Sequence, residues 1–430
     1  VKVHFIGIGG IGLSGLAKYL QNDGYSISGS DVKSTPITEE LIKAGAKLTI
    51  PHNQNAIINQ ELVIHSAAIK ENNVELMQAK QSGIKSLSRS EALKFILQDK
   101  KVYSVAGAHG KSTTSAILAS LLANSSAIIG AISKDFHSNV RIKDKNTLVF
   151  EADESDASFL NSNPYCAVVT NAEPEHMEFY GYDEAKFYQA YSDFINKATV
   201  RVLYKGDPFL KELDVDAIWL ERDDIYEIEF ILKEELPYTR FKLKDLGEFE
   251  VYGFGEHIAI DASLAILAAL QEIGLEQVRE NLKNYQGIKK RFDIIYTDEK
   301  LSIIDDYAHH PTEVCATMSS ALTYANLSKK TKITAIWQPH KYSRTVDNLE
   351  GFKRCFSGCD ELIILPVWSA GEEARAIDFE KEFSGYNLTL ADGVHANRVF
   401  KDGKEIKLID EGIVLGLGAG DITYQLRGQS

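Results

Sequence analysis

Two glycine-rich stretches, each set between an apolar run and a helical one, constrain this 430-residue chain more than any other feature. Gly7-Ile8-Gly9-Gly10-Ile11-Gly12 ends the run 3–6 and opens a helical pattern over 13–20. Gly107-Ala108-His109-Gly110-Lys111-Ser112-Thr113-Thr114 ends the run 102–105 and opens a second one over 112–122. A strand that turns through glycines into a helix is half of a βαβ unit. Repeated along a chain, it predicts parallel sheets with ligands at the carboxyl ends of the strands. Apolar runs at 25–28, 61–65, 147–150 and 167–170 continue the rhythm. A third series follows Lys289, at 301–304, 333–337, 362–365 and 413–417. Alanine and leucine at helical spacing predict a helix over 257–273, whereas 200–255 reads as irregular, charged and β-prone, with no chemistry.

The second loop predicts a phosphate site. Its glycines let backbone amides approach phosphate oxygens, the helix N-terminus adds a favourable dipole, and Lys111 supplies a point charge. Ser112 stands where a hydroxyl binds Mg²⁺. Val105 replaces the first glycine of the strict Walker spacing, so this is a variant phosphate loop, read here as binding ATP. The run 147–150 then delivers Glu151-Ala152-Asp153-Glu154-Ser155-Asp156, and 167–170 delivers Asn171-Ala172-Glu173-Pro174-Glu175-His176. Acids crowded at two strand ends repel one another unless a cation intervenes. Beside a Lys-Ser loop they predict a divalent-metal site for phosphoryl transfer.

The first loop, with Asp31 after the second strand, matches a dinucleotide fingerprint and invites a nicotinamide oxidoreductase reading. The second loop already accounts for ATP, so the first is expected to hold a different nucleoside diphosphate, such as a UDP-linked substrate. Forty-seven Lys and Arg against 61 Asp and Glu give a net charge of −14, which argues against a general nucleic-acid binder. The four cysteines form no C-x-x-C pair; Cys355 and Cys359 lie at i, i+4 without a nearby His pair, so reduced thiols are expected rather than zinc. No apolar run is long enough to span a bilayer, and a cytoplasmic protein without membrane association is expected. In the third series, Asp305-Asp306-Tyr307-Ala308-His309-His310-Pro311-Thr312-Glu313 and Gln338-Pro339-His340-Lys341-Tyr342-Ser343-Arg344-Thr345 each follow a strand. Their histidines suit a metal or a general base, while Lys341 and Arg344 suit a carboxylate or a developing phosphoryl charge.

Taken together these stretches resemble the Mur ligases, and the resemblance also covers Gly255–Ala268, Lys290-Arg291-Phe292, Ala370-Gly371-Glu372 and Gly418–Ile422. The two histidine motifs are specific to the branch that adds L-alanine to UDP-N-acetylmuramate. The resemblance implies an α/β chain of three domains: a Rossmann-like UDP-substrate domain over 1–98, a central P-loop ATPase domain with a mainly parallel sheet over 99–288, and a C-terminal Rossmann-like amino-acid domain over 289–430. It implies a peptide-bond-forming ligase of peptidoglycan precursor synthesis that works through an acyl phosphate. ATP, two Mg²⁺ ions, UDP-N-acetylmuramate and L-alanine would be its small-molecule partners, and the chain a monomer or weak homodimer. The alternatives are the ligase that attaches a recycled tripeptide to the same nucleotide and, more distantly, the oxidoreductase.

Carried over by position, Gly107 to Thr113 (Gly107, Ala108, His109, Gly110, Lys111, Ser112, Thr113) would bind ATP, together with His257, Arg291 and Asp306. Ser112, Glu151 and His176 would hold the metals. Gly9, Gly10, Ile11, Gly12, Asp31, His52 and Ser66 would bind the UDP substrate. His310, Lys341 and Arg344 would bind the amino acid, and Lys111, His176, His340 and Arg344 would be catalytic. The sequence departs from the family at Ser112 for Thr, Lys341 for Arg, Ile258 and Asp261 for two Asn, and Glu175 and Glu178 for Asp. The chain is also shorter than typical members, with the loss expected in 200–255.

Overall fold

A computed structural model describes residues 1–429 apart from Asp156 and His176. The chain divides into two compact units, Val1–Tyr226 with Lys242–Gly247 and Ile260–Gln286, and Glu227–Phe241 with Glu248–Ala259 and Gly287–Ser430.

The first unit opens with β1 (Lys2–Ile6), α1 (Ile11–Asn22), β2 (Ser26–Ser30), α2 (Pro36–Lys43), β3 (Lys47–Thr49), β4 (Leu62–His65), α3 (Val74–Gln81), β5 (Lys85–Ser88) and α4 (Arg89–Ile96). Its strands are all parallel in the order β3-β2-β1-β4-β5. The order reverses between β1 and β4, and a doubly wound sheet binds its ligand at the carboxyl ends of such a pair. The glycine loop follows β1 and Ser66 follows β4, so two of the expected UDP-site segments sit at that point, while Asp31 follows β2 and His52 follows β3.

Next come β6 (Lys101–Ala106), α5 (Lys111–Leu121), β7 (Ser125–Ile128), β8 (Val140–Arg141), β9 (Asp144–Glu151), β10 (Pro164–Val169), α6 (Glu184–Lys197), β11 (Val200–Tyr204) and β12 (Ile218–Leu220). They make a seven-stranded sheet, β12-β11-β10-β6-β9-β7-β8, parallel except for the β7–β8 pair. One continuous apolar core joins the two sheets, running from Val3, Phe5 and Leu16 through Leu93 and Leu97 to Phe150, Phe159 and Phe194. Polar bonds reinforce the join: Asn139 Nδ2 donates to Ile11 O at 2.9 Å and its Oδ1 accepts from Lys18 Nζ at 3.1 Å.

The region over 200–255 corrects the sequence reading, because it is regular. Beyond β11 and β12 it forms β13 (Ile225–Lys233), β14 (Leu236–Leu243) and β15 (Glu248–Tyr252), adjacent in one sheet. β14 alternates between buried and partly exposed residues along most of its length, as a half-buried strand should. The β13–β14 turn is Glu234-Glu235, with φ of +51° and +65°. Tight hairpins normally take glycine or asparagine at such positions, so the sequence carries no turn signal there. The expected 257–273 helix is α7 (Glu256–Ala269), followed by α8 (Leu275–Leu282).

In the second unit follow β16 (Asp293–Thr297), β17 (Leu301–Asp306), α9 (Pro311–Ser328), β18 (Ile333–Trp337), α10 (Tyr342–Asp347), α11 (Leu349–Cys355), β19 (Glu361–Ile364), α12 (Phe379–Glu382) and β20 (Leu388–Leu390). A meander of β21 (Gly393–His395), β22 (Arg398–Lys401) and β23 (Lys404–Leu408) precedes β24 (Gly412–Leu417) and α13 (Ile422–Leu426). The main sheet, β16-β17-β24-β18-β19-β20, is parallel except for its edge strand β16. Trp337, buried on β18, packs edge-on or tilted against Phe352, Phe356, Phe379 and Phe383. Among the described residues no helix is long and apolar enough to cross a membrane.

Candidate functional site

The phosphate-loop half of the site is built on β6, β9, β10 and α5. Gly107 has φ +141° and an added Cβ would stand 2.0 Å from Thr170 Oγ1; Gly110 has φ +80° and its Cβ would meet Asp261 Oδ1 at 2.5 Å. Only glycine fits either place. The loop is tied to the end of β10: Asn171 Oδ1 accepts from His109 N at 3.1 Å, and Thr170 Oγ1 and Asn171 Nδ2 donate to His109 O at 2.5 and 2.9 Å. Gly110 caps α5 with no side-chain bond, leaving the first-turn amides of the helix facing the loop. Asp261, a departure from the family pattern, is thereby placed against the loop.

Lys111 Nζ donates to Gly107 O at 2.5 Å and lies 2.8 Å from both carboxylate oxygens of Glu154, which is fully buried. Burial works against the Lys111 ammonium, but Glu154, Asp153 and Glu151 outweigh it and hold its pKa above the ordinary lysine value. Burial dominates at Glu154, whose pKa is raised despite the lysine. The expected metal pair is in contact: Ser112 Oγ donates to Glu151 Oε1 at 2.9 Å, and Ser115 Oγ and Gly130 N donate to Oε2 at 3.2 and 2.5 Å. A hydroxyl and a carboxylate beside a phosphate loop form an oxygen-donor set that suits Mg²⁺. Among the described residues no three His, Cys, Asp or Glu gather as a metal cage. His176, the expected further ligand, lies outside them.

The other half of the site in this unit is a cavity of about 460 Å³ lined by Gly10, Gly12, Ser66, Arg89, Ser155 and Glu178 among others. Gly10 caps α1 with no side-chain bond. Asp31 Oδ2 accepts from Gly9 N at 2.7 Å, and Gly7 and Ile8 amides donate to Ser30 O at 2.9 and 3.0 Å, so β2 shapes the loop. His52 Nδ1 meets Ser30 Oγ at 2.8 Å, which places it at the end of β2. Arg89 was absent from the sequence expectations. The Ser88-x-x-Glu91 capping box after β5, with both reciprocal bonds formed, is the signal that could have found it. Its guanidinium lies 3.8 Å from Asp153 and 3.1 Å from where a Gly12 Cβ would be.

A separate cluster forms at the strand ends of the second unit. Arg344 Nη1 donates to His340 Nδ1 at 3.0 Å, so His340 carries its proton on Nε2. Burial first, then Arg344, pushes the His340 pKa down to about 4. His309, rather than the His310 assigned to the amino acid, lies 5.9 Å from His340 ring to ring. Its Nδ1 donates to Tyr307 O at 2.9 Å, leaving Nε2 as an acceptor, and burial outweighs Glu313 to lower its pKa. His310 caps α9, and Glu313 Oε2 accepts from the His309 and His310 amides at 3.0 and 3.3 Å. Arg291 pairs with Glu313 at 3.3 Å. Lys341 caps α10 with φ +68°, and its amide donates to Trp368 O at 2.8 Å. Asp306 accepts from the Phe292 and Ala308 amides at 2.7 and 2.8 Å, so its carboxylate is spent on its own loops; burial raises its pKa to about 6. His257 is lowered to about 4 by burial and then by Arg291.

Comparison with known proteins matches three family models in chain order: "Mur ligase family, catalytic domain" at residues 2–101, "Mur ligase middle domain" at 105–218, and "Mur ligase, glutamate ligase domain" at 290–410. The UDP-N-acetylmuramate–L-alanine ligase of Campylobacter curvus is 55% identical over 99% of both chains. That of Helicobacter pylori is 56% identical over 100% of this chain and 96% of its own. The crystal structure of the UDP-N-acetylmuramate–alanine ligase MurC of Thermotoga maritima superposes with a TM-score of 0.84 at 25% identity, covering 99% of this chain and 97% of that one. The fold is accordingly the three-domain Mur ligase α/β fold with mainly parallel sheets. With relatives more than half identical from end to end, the chain belongs to the Mur ligase family.

Proposed function

We propose that the chain is an ATP-dependent ligase joining L-alanine to the lactyl carboxylate of UDP-N-acetylmuramate in peptidoglycan precursor synthesis. The observation that carries this reading is the 55–56% identity, over 99–100% of the chain, to proteins named for that reaction. It supports L-alanine over the tripeptide and nicotinamide alternatives. The domain boundaries at 98/99 and 288/289, a cytoplasmic location and a monomeric or weakly dimeric state belong to the same proposal.

The nucleotide sugar takes the Gly9–Gly12 loop, with Asp31, His52 and Ser66 around it, and ATP takes 107–113. A lactyl oxygen attacks the γ-phosphorus, ADP leaves, and the alanine amine attacks the acyl phosphate and expels phosphate. Lys111 exchanges Glu154 for β- and γ-phosphate oxygens, where its charge opposes the repulsion between carboxylate and polyphosphate. Ser112 and Glu151 would hold one Mg²⁺ and His176 a second, and such ions would screen the same repulsion. Arg291 and His257 serve ATP, and Asp306 serves it by holding the Arg291 loop. Lys341, Arg344 and His310 take the alanine carboxylate. His340 offers its Nε2 proton to developing negative charge, and the unprotonated Nε2 of His309 accepts the proton the amine loses.

The test is phosphate release from ATP and Mg²⁺ with UDP-N-acetylmuramate, offering L-alanine, glycine, serine and the tripeptide separately. Release that needs the nucleotide sugar and is fastest with L-alanine is expected. Release with the tripeptide alone moves the chain to the recycling branch, and none with any acceptor removes the reading.

A further inference from the structure

The cysteines have no part in the reaction above, yet two of them meet. Cys315 on α9 and Cys355 at the end of α11 place their sulfurs 3.0 Å apart, from positions 40 residues apart in sequence. All four thiols are free. Cys315 is exposed, whereas Cys355 is buried. Cys355 Sγ also lies 3.2 Å from the carbonyls of Pro311 and Gly351, either of which takes its S–H. Cys355 and Cys359 have the i, i+4 spacing of a shared helix face, but Cys359 lies past the end of α11 and beyond Gly358, at φ +92°. Pro311 is the first residue of α9, in the turn where Glu313 holds the His309 and His310 amides.

We propose that Cys315 and Cys355 are an oxidative modification site, a dithiol that a peroxide closes into an intramolecular disulfide joining α9 to α11. The exposed Cys315 thiolate attacks a peroxide oxygen; the O–O bond breaks, and Cys315 becomes a sulfenic acid as water or an alcohol leaves. The Cys355 sulfur then attacks Cys315 sulfur, the S–O bond breaks, and the hydroxide departs as water with the Cys355 proton. Two electrons pass from the thiols to the peroxide. Burial pushes the Cys355 thiol up, which leaves the first attack to the exposed Cys315, and the 3.0 Å contact is what places Cys355 to resolve. Closure draws the sulfurs from 3.0 Å to the bonded distance of about 2.05 Å. It also removes the S–H from the Pro311 and Gly351 carbonyls, at the root of the turn that organises His309.

The experiment treats the full chain with hydrogen peroxide, alkylates the remaining thiols and maps the peptides. Loss of two alkylatable thiols, a Cys315–Cys355 linked peptide and complete reversal by dithiothreitol are expected. Cys355→Ala should instead accumulate sulfenic and sulfinic acid at Cys315, and Cys315→Ser should form no link. A linked peptide through Cys166 or Cys359, or none at all, overturns the proposal. A second readout rests on the ligase reading: the KM for L-alanine of the oxidised protein rises several-fold and recovers on reduction. An unchanged KM overturns the connection to the histidine cluster. A linked peptide in a protein that releases no phosphate even when reduced leaves the dithiol standing and counts against the ligase reading alone.

Discussion

Replacing Lys111 by methionine keeps most of the side-chain volume and removes the ammonium that bonds Glu154 Oε1 and stands 2.8 Å from its Oε2. Glu154 is then a fully buried carboxylate without its cation. Removing one partner of a buried ion pair typically costs about 3–5 kcal/mol. For a unit of this size that lowers the first melting transition by roughly 6–20 °C, at about 2–4 °C per kcal/mol. The cost depends on pH, with a definite sign. An unfolded glutamate titrates near ~4.3, while the native Glu154 pKa is already raised by burial and goes higher once the lysine's opposing pull is lost. Between the unfolded value and that higher native value the native state binds more protons than the unfolded one, so the stability of Lys111→Met falls as pH rises through this window and levels off above it. The deficit should be smallest near the acid end of the native range. Differential scanning calorimetry from mildly acidic to mildly alkaline pH reads this, with Glu154→Gln and the double variant completing a cycle. The double variant should recover most of the loss, because no unpaired charge then remains. Equal melting of Lys111→Met and wild type, or simple addition of the two single effects, would refute the pairing. In the same variant turnover should vanish while UDP-N-acetylmuramate binding by titration calorimetry survives, because the glycine loop of α1 is separate from that of α5.

Ser112→Thr should retain turnover and Ser112→Ala should need far more Mg²⁺, read from magnesium titrations of phosphate release, since only the alanine lacks the hydroxyl beside Glu151. Gly107→Ala should abolish ATP binding in an equilibrium assay, because its Cβ would stand 2.0 Å from Thr170 Oγ1 at a φ of +141°. Thr170→Ala should not rescue it in full, as the backbone strain remains. Arg344→Gln should raise the His340 pKa from about 4 toward the ordinary imidazole value, followed by NMR, because it removes a positive charge that disfavours the imidazolium; an unmoved titration would contradict the 3.0 Å contact.

The βαβ rhythm, the two phosphate-type loops and the positions of Ser112, Glu151 and Lys111 were legible in the sequence because each depends on local pattern. Glycines at a strand-to-helix turn, a lysine and hydroxyl at the helix start, and acids at the next strand end are all neighbours along the chain. The hairpin over 225–243 was not legible, since Glu234 and Glu235 take positive φ without the residues that usually announce it. Nor was the division of labour among the acids of 151–156. One strand end carries them all, and only the packing decides that Glu151 faces Ser112 while Glu154 is buried against Lys111. His309 and His310 are adjacent in sequence and equivalent as letters. Which of them meets His340 follows from where β17 ends and α9 begins, a relation between elements rather than a property of either residue. The sulfur pair is the clearest case. Spacing along the chain shows only that Cys355 and Cys359 are four residues apart, whereas helix packing brings Cys315 to Cys355, because side-chain proximity between distant segments is set by the shared core and not by sequence separation.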